Sequence, residues 1–280
     1  ATVLCTDKTG TLTENHMRIE FIEMDGVHWD RGAQQPIPKA LQGVVRVALG
    51  ASAPLATDPM DRAIHEVALG FEASAPRKLV RSYGVQPDLP AATNLWEAGS
   101  VIIADTKGAP EAVAELCRLS PDACAHLLNQ VDALAAQGLR ILGVAEGSLD
   151  RAEYAHLKSR RDIPFRYVGL IGFADPLRAT APAAVAECHP PGIRVIMITG
   201  DYPATAGAIA HQAGIDKSAV LSGDDLDALS DADLAEAMKT TSVFARIRPQ
   251  QKLRLVEMLK RDGEIVAMTG DGVNDAPAMK

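Results

Sequence analysis

The feature that most limits the possible folds is a polar turn directly after a short apolar run at the start of the chain. Residues 3–6 (VLCT) are typical of a buried strand, and they lead into residues 7–13 (DKTGTLT). Gly10 allows a tight turn, and backbone N–H groups in such a turn can surround a phosphate. The Asp7 carboxylate is then suited to attack phosphorus and form an acyl-phosphate. The alternative is that Asp7 only caps the turn.

A second pattern, regular alternation of strands and helices, follows residue 160. Strands are predicted at 167–173, 194–199, 243–245 and 265–269, and helices at 179–188, 203–213 and 249–260. This alternation predicts an α/β domain with a parallel sheet and helices on both faces. Such sheets bind ligands at the carboxyl ends of their strands. We therefore expect the first strand to belong to the same domain as the chain after residue 160.

The intervening segment is predicted to be an inserted α+β domain. A hairpin is expected at its start, because apolar and charged residues alternate over 17–21 and Asp25-Gly26 is a turn signal. Further helices are expected near 39–49, 58–70 and 121–137, and strands at 101–104 and 141–145. The predicted boundaries are 1–16 and 161–280 for the discontinuous α/β domain and 17–160 for the insertion.

Composition disfavours several classes of function. The formal net charge of −8 argues against non-specific nucleic-acid binding, and the four cysteines form no C-x-x-C pair or zinc-like spacing. Unpaired cysteines are typical of a reducing, cytoplasmic compartment. The sequence has no run of about 18 apolar residues that would predict a transmembrane helix. Because the chain begins inside an apolar strand and stops at Lys280, just after residues 269–275, we expect a soluble piece of a longer protein.

Five short motifs occur in order along the chain. They lie at 7–13 (DKTGTLT), 107–111 (KGAPE), 175–178 (DPLR), 199–201 (TGD) and 269–275 (TGDGVND). Together they resemble the motifs of P-type cation-transporting ATPases, and more the calcium-pump branch than the heavy-metal branch. In the third motif, Leu177 replaces a proline of the family pattern. The resemblance implies a haloacid-dehalogenase-like Rossmannoid sheet with an inserted nucleotide-binding domain, and a reaction that uses ATP and Mg²⁺.

The resemblance also implies roles for individual residues of the α/β domain. Catalytic roles are implied for Asp7, Lys252, Thr199 and Asp271, with Asp7 as the residue that becomes phosphorylated. Phosphate contacts are implied for Lys8, Thr9, Gly200 and Asn274. The implied Mg²⁺ ligands are Asp7, the carbonyl of Thr9, Asp271 and Asp275. These are hard oxygen donors, which suit this ion. For Asp275, a role in orienting the other ligands is an equal alternative.

The implied nucleotide contacts are Lys107, Gly108, Arg140, Asp61, Asp201 and Arg246. Helix capping explains Asp61 equally well. The motif at 175–178 is expected either to contact the nucleotide or to link the two domains. One departure from the family concerns residues 83–90, which lack the adenine-stacking Phe and the Lys that many of these pumps have there. Tyr83 or Trp96 is the candidate replacement, unless both are core residues, and weak nucleotide binding is expected.

Three functions fit these residues. The first is the catalytic cytoplasmic part of a multi-pass cation pump, in which ATP phosphorylates Asp7. Membrane and actuator domains of the same protein, and the transported cation, would then be its partners. The second is a soluble haloacid dehalogenase-type phosphatase, although Thr9 stands where those enzymes usually carry an Asp as general acid/base. The third is a non-catalytic nucleotide-binding module, which the intact set of Asp7, Lys252 and Asp271 disfavours.

Overall fold

The computed structural model describes residues 1–72, 75–215 and 219–270. The chain forms two compact units. Unit 1 comprises Ala1–His16, Ala136–Gly138 and the chain from Asp175 onward, and unit 2 comprises Met17–Ala135 and Leu139–Ala174. Every helix in the described part of the chain is too short or too polar to span a bilayer.

The described residues contain twelve strands and ten α-helices. The strands are β1 (Val3–Thr6), β2 (Arg18–Met24), β3 (Val27–Asp30), β4 (Lys78–Tyr83), β5 (Ala91–Ala98), β6 (Val101–Gly108), β7 (Arg140–Asp150), β8 (Phe165–Ala174), β9 (Arg194–Ile198), β10 (Val220–Ser222), β11 (Val243–Ala245) and β12 (Val266–Thr269). The helices are α1 (Lys39–Gly50), α2 (Pro59–Ala68), α3 (Pro110–Leu116), α4 (Pro121–Ala135), α5 (Arg151–Ala155), α6 (Ala181–Cys188), α7 (Pro203–Ala213), α8 (Gly223–Ala228), α9 (Asp231–Met238) and α10 (Pro249–Arg261).

Unit 1 is built on a five-stranded parallel sheet with the order β10-β11-β9-β1-β12. Its strands are apolar on both sides because helices cover both faces. Met197 of β9 packs in a cluster with α6 and α7, whereas the neighbouring Ile196 packs with α9 and α10. The predicted parallel sheet with helices on both faces is confirmed.

The strand order brings the polar motifs of unit 1 to one edge of this sheet. Asp7 directly follows β1, Thr199 follows β9, and Arg246 follows β11, so all three stand at the carboxyl ends of neighbouring parallel strands. The backbone N–H of Asp7 donates to the Thr269 carbonyl at 3.1 Å, which extends the pairing of β1 with β12 to the motif. Open α/β sheets bind their ligands at this edge.

Unit 2 is built on a seven-stranded antiparallel sheet with the order β3-β2-β8-β7-β6-β5-β4. Helices α1 and α2 pack on one face, in a cluster that contains Leu41 and Ile64. Helix α3 packs on the other face through Val113. The predicted hairpin is confirmed as β2 and β3, joined at Asp25-Gly26.

Strand β8 corrects one prediction. The sequence predicts a strand at 167–173 in the parallel sheet, and the strand exists, but it pairs antiparallel with β2 and β7 in unit 2. Its placement in the parallel sheet is therefore wrong. Residues 168–173 are all buried because helices cover both faces of this sheet too. A strand buried on both sides forms a continuous apolar run in either kind of sheet, so periodicity does not identify its neighbours.

Candidate functional site

A small pocket of about 120 Å³ lies at the carboxyl edge of the unit 1 sheet. Its polar lining comes from the turn after β1, the loop after β9 and the first turn of α10. These elements supply Asp7, Thr199 with Gly200, and Lys252. Three of the residues with implied catalytic roles therefore meet in one place, although they are far apart in the sequence.

A backbone donor and a cation contact the Asp7 carboxylate. Oδ1 accepts from the backbone N–H of Lys8 at 2.7 Å, and Oδ2 lies 3.4 Å from Nζ of Lys252. Lys252 is only 7 % exposed, so its charge acts where water screens it weakly. The carboxylate is thereby oriented beside a cation that can also stabilise negative charge on a phosphoryl group.

The start of α10 explains the position of Lys252. Pro249 occupies the first turn, where its missing N–H leaves no helical hydrogen bond unmade. The side chain of Gln251 accepts from the backbone N–H of Arg248 at 2.9 Å and donates to the Gly223 carbonyl at 2.8 Å. These contacts anchor the first turn, so the next residue, Lys252, is directed at the sheet edge.

The turn after Asp7 has the tight geometry that its sequence predicts. Gly10 has a φ of +75°, a left-handed conformation that glycine adopts without steric cost. The backbone N–H of Thr13 closes the turn on the Lys8 carbonyl at 3.0 Å. The Arg178 guanidinium braces the turn, because it donates to the carbonyls of Gly10 at 2.9 Å and Thr11 at 3.1 Å.

Asp175 secures the end of the same turn. Its carboxylate accepts from the Thr13 hydroxyl at 2.5 Å and from the backbone N–H of His16 at 3.0 Å. For the motif at 175–178 the sequence predicts either nucleotide contact or linkage of the domains. Within unit 1, Asp175 and Arg178 support the turn that carries Asp7, a role that neither alternative included.

The loop after β9 contains the next two site residues. The Thr199 hydroxyl accepts from the backbone N–H of Asp201 at 3.2 Å, so its own proton can be donated to a ligand. The Asp201 carboxylate lies 2.6 Å from Nζ of Lys8. Lys8 therefore directs its side chain to Asp201 and its backbone N–H to Asp7.

Arg246 lies beside the same loop. Its backbone N–H donates to the Asp201 carbonyl at 2.8 Å, and its φ of +52° is unusual for a residue with a side chain. The exposed guanidinium stacks on the ring of Tyr202, with 4.5 Å between the guanidinium carbon and the ring centre. Arg246 thus presents a cation at the sheet edge that carries Asp7.

The structure describes only some of the residues predicted to bind Mg²⁺ and phosphate. Asp271, Asn274 and Asp275 lie outside the described residues. Among the described residues, no group of three or more His, Cys, Asp or Glu side chains is placed to hold a metal ion. Asp7 fits the predicted role, because its side chain is 21 % exposed at the pocket and offers the hard oxygen that Mg²⁺ prefers.

In unit 2, two of the predicted nucleotide residues contact each other. Lys107 of β6 forms an ion pair with Asp61 of α2 and donates to the Ser52 hydroxyl. Burial lowers the pKa of Lys107, and its hydrogen bond to the Asp61 carboxylate opposes that shift. The Lys107 ammonium is thus a buried cation whose charge is balanced inside the unit.

Gly108 and Arg140, the other two predicted nucleotide residues of unit 2, lie towards one end of the paired strands β6 and β7. Gly108 of β6 pairs with Gly143 of β7, and a Cβ on Gly108 would lie 2.4 Å from Cα of Ala91, so a larger residue does not fit. Arg140 precedes Gly143 by three residues on β7 and is exposed. It therefore lies about 10 Å along the strand from Gly143, past the end of β6.

The direction of side chains separates the two candidate stacking residues. Trp96 of β5 is paired with Ile103 of β6, so their side chains lie on the same face of the sheet. Ile103 and Lys107 also share a face, because they are separated by an even number of residues on β6. Trp96 and Lys107 therefore lie on the same face. Tyr83 packs with the cluster on the opposite face, which contains Ala104. Only Trp96 lies on the face that carries Lys107.

Sequence reasoning missed Asp105, which lies two residues before Lys107 on the same face. It is fully buried, and Nη1 of Arg77 lies 3.1 Å from its Oδ2. Burial raises the pKa of Asp105 to about 7, although the Arg77 guanidinium acts to lower it. The available signal was a carboxylate inside an apolar strand, since a buried Asp almost always has a partner.

Known proteins share this sequence pattern. The sequence profile of haloacid dehalogenase-like hydrolases matches residues 1–280. Probable cation-transporting ATPase F of Mycobacterium tuberculosis is 34 % identical over 100 % of this chain and 36 % of that protein. Cation-transporting ATPase pma1 of Synechocystis is 33 % identical over 100 % of this chain and 36 % of that protein. Calcium-transporting ATPase 1 of Saccharomyces cerevisiae is 32 % identical over 99 % of this chain and 34 % of that protein.

These relatives confirm the predicted resemblance to cation-transporting ATPases. The chain spans about a third of the length of the curated relatives it matches.

Proposed function

This chain belongs to the haloacid dehalogenase-like hydrolase family, and we propose that it is the catalytic part of a P-type cation-transporting ATPase. The similarity to cation-transporting ATPases over the whole chain supports this proposal. In this proposal unit 2 binds ATP, and Asp7 of unit 1 accepts the γ-phosphate. The observation that carries it is the Asp7 carboxylate, held by the backbone N–H of Lys8 and by Lys252 at the carboxyl edge of a parallel sheet.

The proposed step transfers one phosphoryl group. An Asp7 oxygen forms a bond to the γ-phosphorus, the bond from that phosphorus to the β–γ bridging oxygen breaks, and ADP leaves with the electron pair. Lys252 stabilises the negative charge on the transferring oxygens. Thr199 and Gly200 line the same pocket, and the hydroxyl of the first and the backbone N–H of the second are the further donors proposed for these oxygens.

Bound Mg²⁺ would neutralise part of the charge on the phosphate oxygens. Asp7, Thr9, Asp271 and Asp275 are the residues proposed to hold it. The residue whose position supports this is Asp7, since its carboxylate reaches the pocket.

Nucleotide binding is proposed for residues of both units. Arg140 is exposed, and its planar guanidinium suits phosphate oxygens. Lys107, Gly108 and Asp61 form the second group in unit 2, while Asp201 and Arg246 form the group in unit 1. Because the stacking Phe of the family is absent from residues 83–90, affinity for ATP is expected to be weak.

In the whole protein, we propose that the phosphoenzyme is coupled to movement of a cation. Two findings support this: the relatives are named as cation-transporting ATPases, and the chain spans only about a third of their length. Membrane and actuator domains of the same protein would carry the ion and complete the cycle. The two units would then lie on the cytoplasmic side of the membrane.

Thr9 distinguishes this proposal from a soluble phosphatase. A hydroxyl does not titrate near neutral pH, so Thr9 is a poor general acid or base for hydrolysis of the acyl-phosphate. Slow turnover of the isolated chain, with a phosphoenzyme that accumulates, is the expected behaviour.

Acid trapping of the phosphoenzyme tests the proposed function. The protein is mixed with Mg²⁺ and ATP labelled on the γ-phosphate, quenched in acid and treated with hydroxylamine, which cleaves acyl-phosphates. We expect label on the parent protein that hydroxylamine releases, and none on Asp7→Asn or with α-labelled ATP. Label that persists on Asp7→Asn, or no label on a parent protein that binds ATP, would contradict the proposal.

A further inference from the structure

Arg246, which follows β11 in unit 1, has a backbone conformation that is unfavourable for a residue with a side chain. Its φ of +52° lies in the left-handed region, which glycine alone adopts without steric cost. Such conformations persist only where the surrounding structure enforces them, and they are concentrated at functional sites. The contacts around Arg246 show what this conformation achieves.

Two neighbouring segments fix the backbone of Arg246. Its N–H donates to the Asp201 carbonyl at 2.8 Å, and the N–H of Ile247 donates to the Thr199 carbonyl at 3.0 Å. In addition, a Cβ on Gly223 would lie 2.5 Å from the Arg246 carbonyl oxygen, so the start of α8 approaches this carbonyl closely. The direction in which the Arg246 side chain leaves the backbone is therefore set by the loop after β9 and by α8.

Tyr202 lies in the same loop, at the position that precedes α7. Ser, Thr, Asp and Asn are preferred at such a position, because their side chains accept a backbone N–H of the first helical turn. Tyr202 makes no such hydrogen bond within the described part of the chain, and it is 65 % exposed. The ring thus serves neither the start of the helix nor a buried core, and it is available for another contact.

That contact is with the guanidinium of Arg246. Its central carbon lies 4.5 Å from the Tyr202 ring centre, well within the limit of about 6 Å for a cation–π interaction. A guanidinium stacked on a ring keeps the N–H donors at its edge free for other partners. Among the described residues the Arg246 side chain forms no ion pair, whereas the nearby Asp201 carboxylate is already paired with Lys8.

The strand order places this stacked pair along the edge that carries Asp7. Strands β11, β9 and β1 are neighbours in the sheet, so Arg246 and Asp7 follow strands that are two positions apart. At about 4.8 Å per strand, these strand ends are about 10 Å apart. The Arg246 donors are therefore displaced along the edge from a phosphorus that Asp7 would attack, and they are better placed for nucleotide oxygens nearer the base.

We propose that Tyr202 is a positioning residue for the nucleotide. Its ring holds the Arg246 guanidinium in one orientation, with N–H donors directed at oxygens of ATP that lie between the γ-phosphate and the base. This inference rests on the proposed function, in which Arg246 contacts the nucleotide. It adds Tyr202, which follows the motif at 199–201 but is not part of it.

Two phosphoryl donors separate nucleotide positioning from an effect on the whole site. ATP carries the oxygens that Arg246 would contact, whereas acetyl phosphate offers little beyond the phosphoryl group. For Tyr202→Ala we expect the KM for ATP in phosphoenzyme formation to rise about three- to fivefold, the usual size of one exposed cation–π contact, with little change in the maximal rate. Phosphorylation by acetyl phosphate should not change, and His211→Ala, an exposed control on α7, should alter neither.

Three further variants test whether the ring acts through Arg246. Tyr202→Phe keeps the ring and should retain most of the parent affinity for ATP. Tyr202→Asn removes the ring but supplies a preferred helix cap, so it should raise the KM as Tyr202→Ala does, although α7 is better capped. In an Arg246→Met background, Tyr202→Ala should add no further rise, because the ring then has no guanidinium to hold.

The outcomes distinguish this inference from the proposed function. Suppose that ATP phosphorylates the parent on Asp7. The positioning role is then overturned, and the proposed function stands, if Tyr202→Ala keeps the parent KM, if it loses activity equally with both phosphoryl donors, or if it has its full effect in Arg246→Met. If ATP does not phosphorylate the folded parent protein, both are overturned. Thermal unfolding shows whether each variant is folded, and Tyr202→Asn replaces Tyr202→Ala if the latter is not.

Discussion

The key charged residues of the two units differ in exposure and in how their charge is balanced. In unit 1, the Asp7 carboxylate is partly exposed and lies at the edge of a parallel sheet, held by one backbone donor and by Lys252. In unit 2, Lys107 is buried on the face of an antiparallel sheet, and its charge is already balanced by Asp61. The first arrangement leaves a nucleophile open to a ligand, whereas the second satisfies the charge before any ligand arrives.

This difference explains why the two sites are expected to behave differently. A reactive carboxylate must be reachable, and the ends of parallel strands provide such positions. A ligand that approaches Lys107 has to compete with Asp61 or bind beside the pair. If unit 2 binds ATP as proposed, weak affinity is expected from the Lys107–Asp61 pair as well as from the missing stacking Phe.

The largest expected effect tests whether Lys252 acts on the reaction and not on nucleotide binding. We expect Lys252→Ala to lower the rate of phosphoenzyme formation by about 10²–10³-fold, the usual cost of removing one transition-state donor. The affinity for ATP should change little, because most of the proposed nucleotide contacts lie in unit 2. Rapid-quench phosphorylation and calorimetry measure the two quantities. Lys260→Ala, at an exposed position of the same helix, is the control. An equal loss of phosphorylation rate in both variants would show that Lys252 has no specific role in the reaction.

The next effect concerns the independence of the two sites. Beryllium fluoride with Mg²⁺ mimics an acyl-phosphate on Asp7, and at about 100 times its Kd it should raise the free energy of unfolding by about 2.7 kcal/mol. Asp7→Asn should abolish this gain, and Lys107→Met should retain it. Thermal unfolding with and without the analogue provides the measurement. Loss of the gain in Lys107→Met would show that the sites are coupled.

A smaller effect, on stability, tests the buried charge of unit 2. Because burial raises the pKa of Asp105 to about 7, above its value in the unfolded chain, the folded state binds the proton more tightly. The associated stability is present below about pH 4 and is lost as the pH rises through about 7. Relative to the parent, the free energy of unfolding of Asp105→Asn should therefore gain about 2.5 kcal/mol between pH 5 and pH 8.

Urea unfolding at several pH values measures this difference. The control is Asp132→Asn, an exposed carboxylate of α4 in the same unit, which should show no such trend. A parent-to-variant difference that does not change with pH would mean that Asp105 is ionised throughout this range.

The smallest expected effect is a gain of activity in unit 1. Thr9→Asp introduces a group that can activate water two residues from the nucleophile. We expect p-nitrophenyl phosphate hydrolysis to rise about tenfold, less than the roughly 10²–10⁴-fold that a well-positioned general acid or base provides, because water must also reach phosphorus in line. The parent and Asp7→Asn should be nearly inactive. Steady-state phosphate release provides the measurement, and brisk hydrolysis by the parent would favour the phosphatase alternative.

Much of unit 1 could be predicted from the sequence, because its strands and turns depend on residues that are close together in the chain. The apolar run before Asp7 predicts a strand, Gly10 permits the left-handed turn that follows, and alternating segments predict the parallel sheet. The meeting of Asp7 and Thr199 at one edge follows from that topology. The pairing of Lys8 with Asp201 was not predictable, because either side chain suits a phosphate or a protein partner.

Unit 2 was less predictable because its site depends on partners distant in sequence. Lys107 and Asp61 were each predicted as nucleotide contacts, but no local pattern indicated that they contact each other. Asp105 was missed, since a carboxylate in an apolar strand does not reveal that Arg77 lies beside it. Trp96 remained one of two alternatives until strand pairing placed it on the Lys107 face.

The sequence by itself determined the elements that short-range chemistry controls: the strand and turn that carry Asp7, the β/α alternation of unit 1 and the hairpin that opens unit 2. Only the tertiary structure decided which strands and side chains become neighbours. β8 shows the reason: a continuous apolar run specifies burial on both faces, but backbone hydrogen bonds to β2 and β7 decide its sheet. The types of residue in a strand indicate whether it is buried, whereas the strands with which it pairs depend on how the whole chain packs.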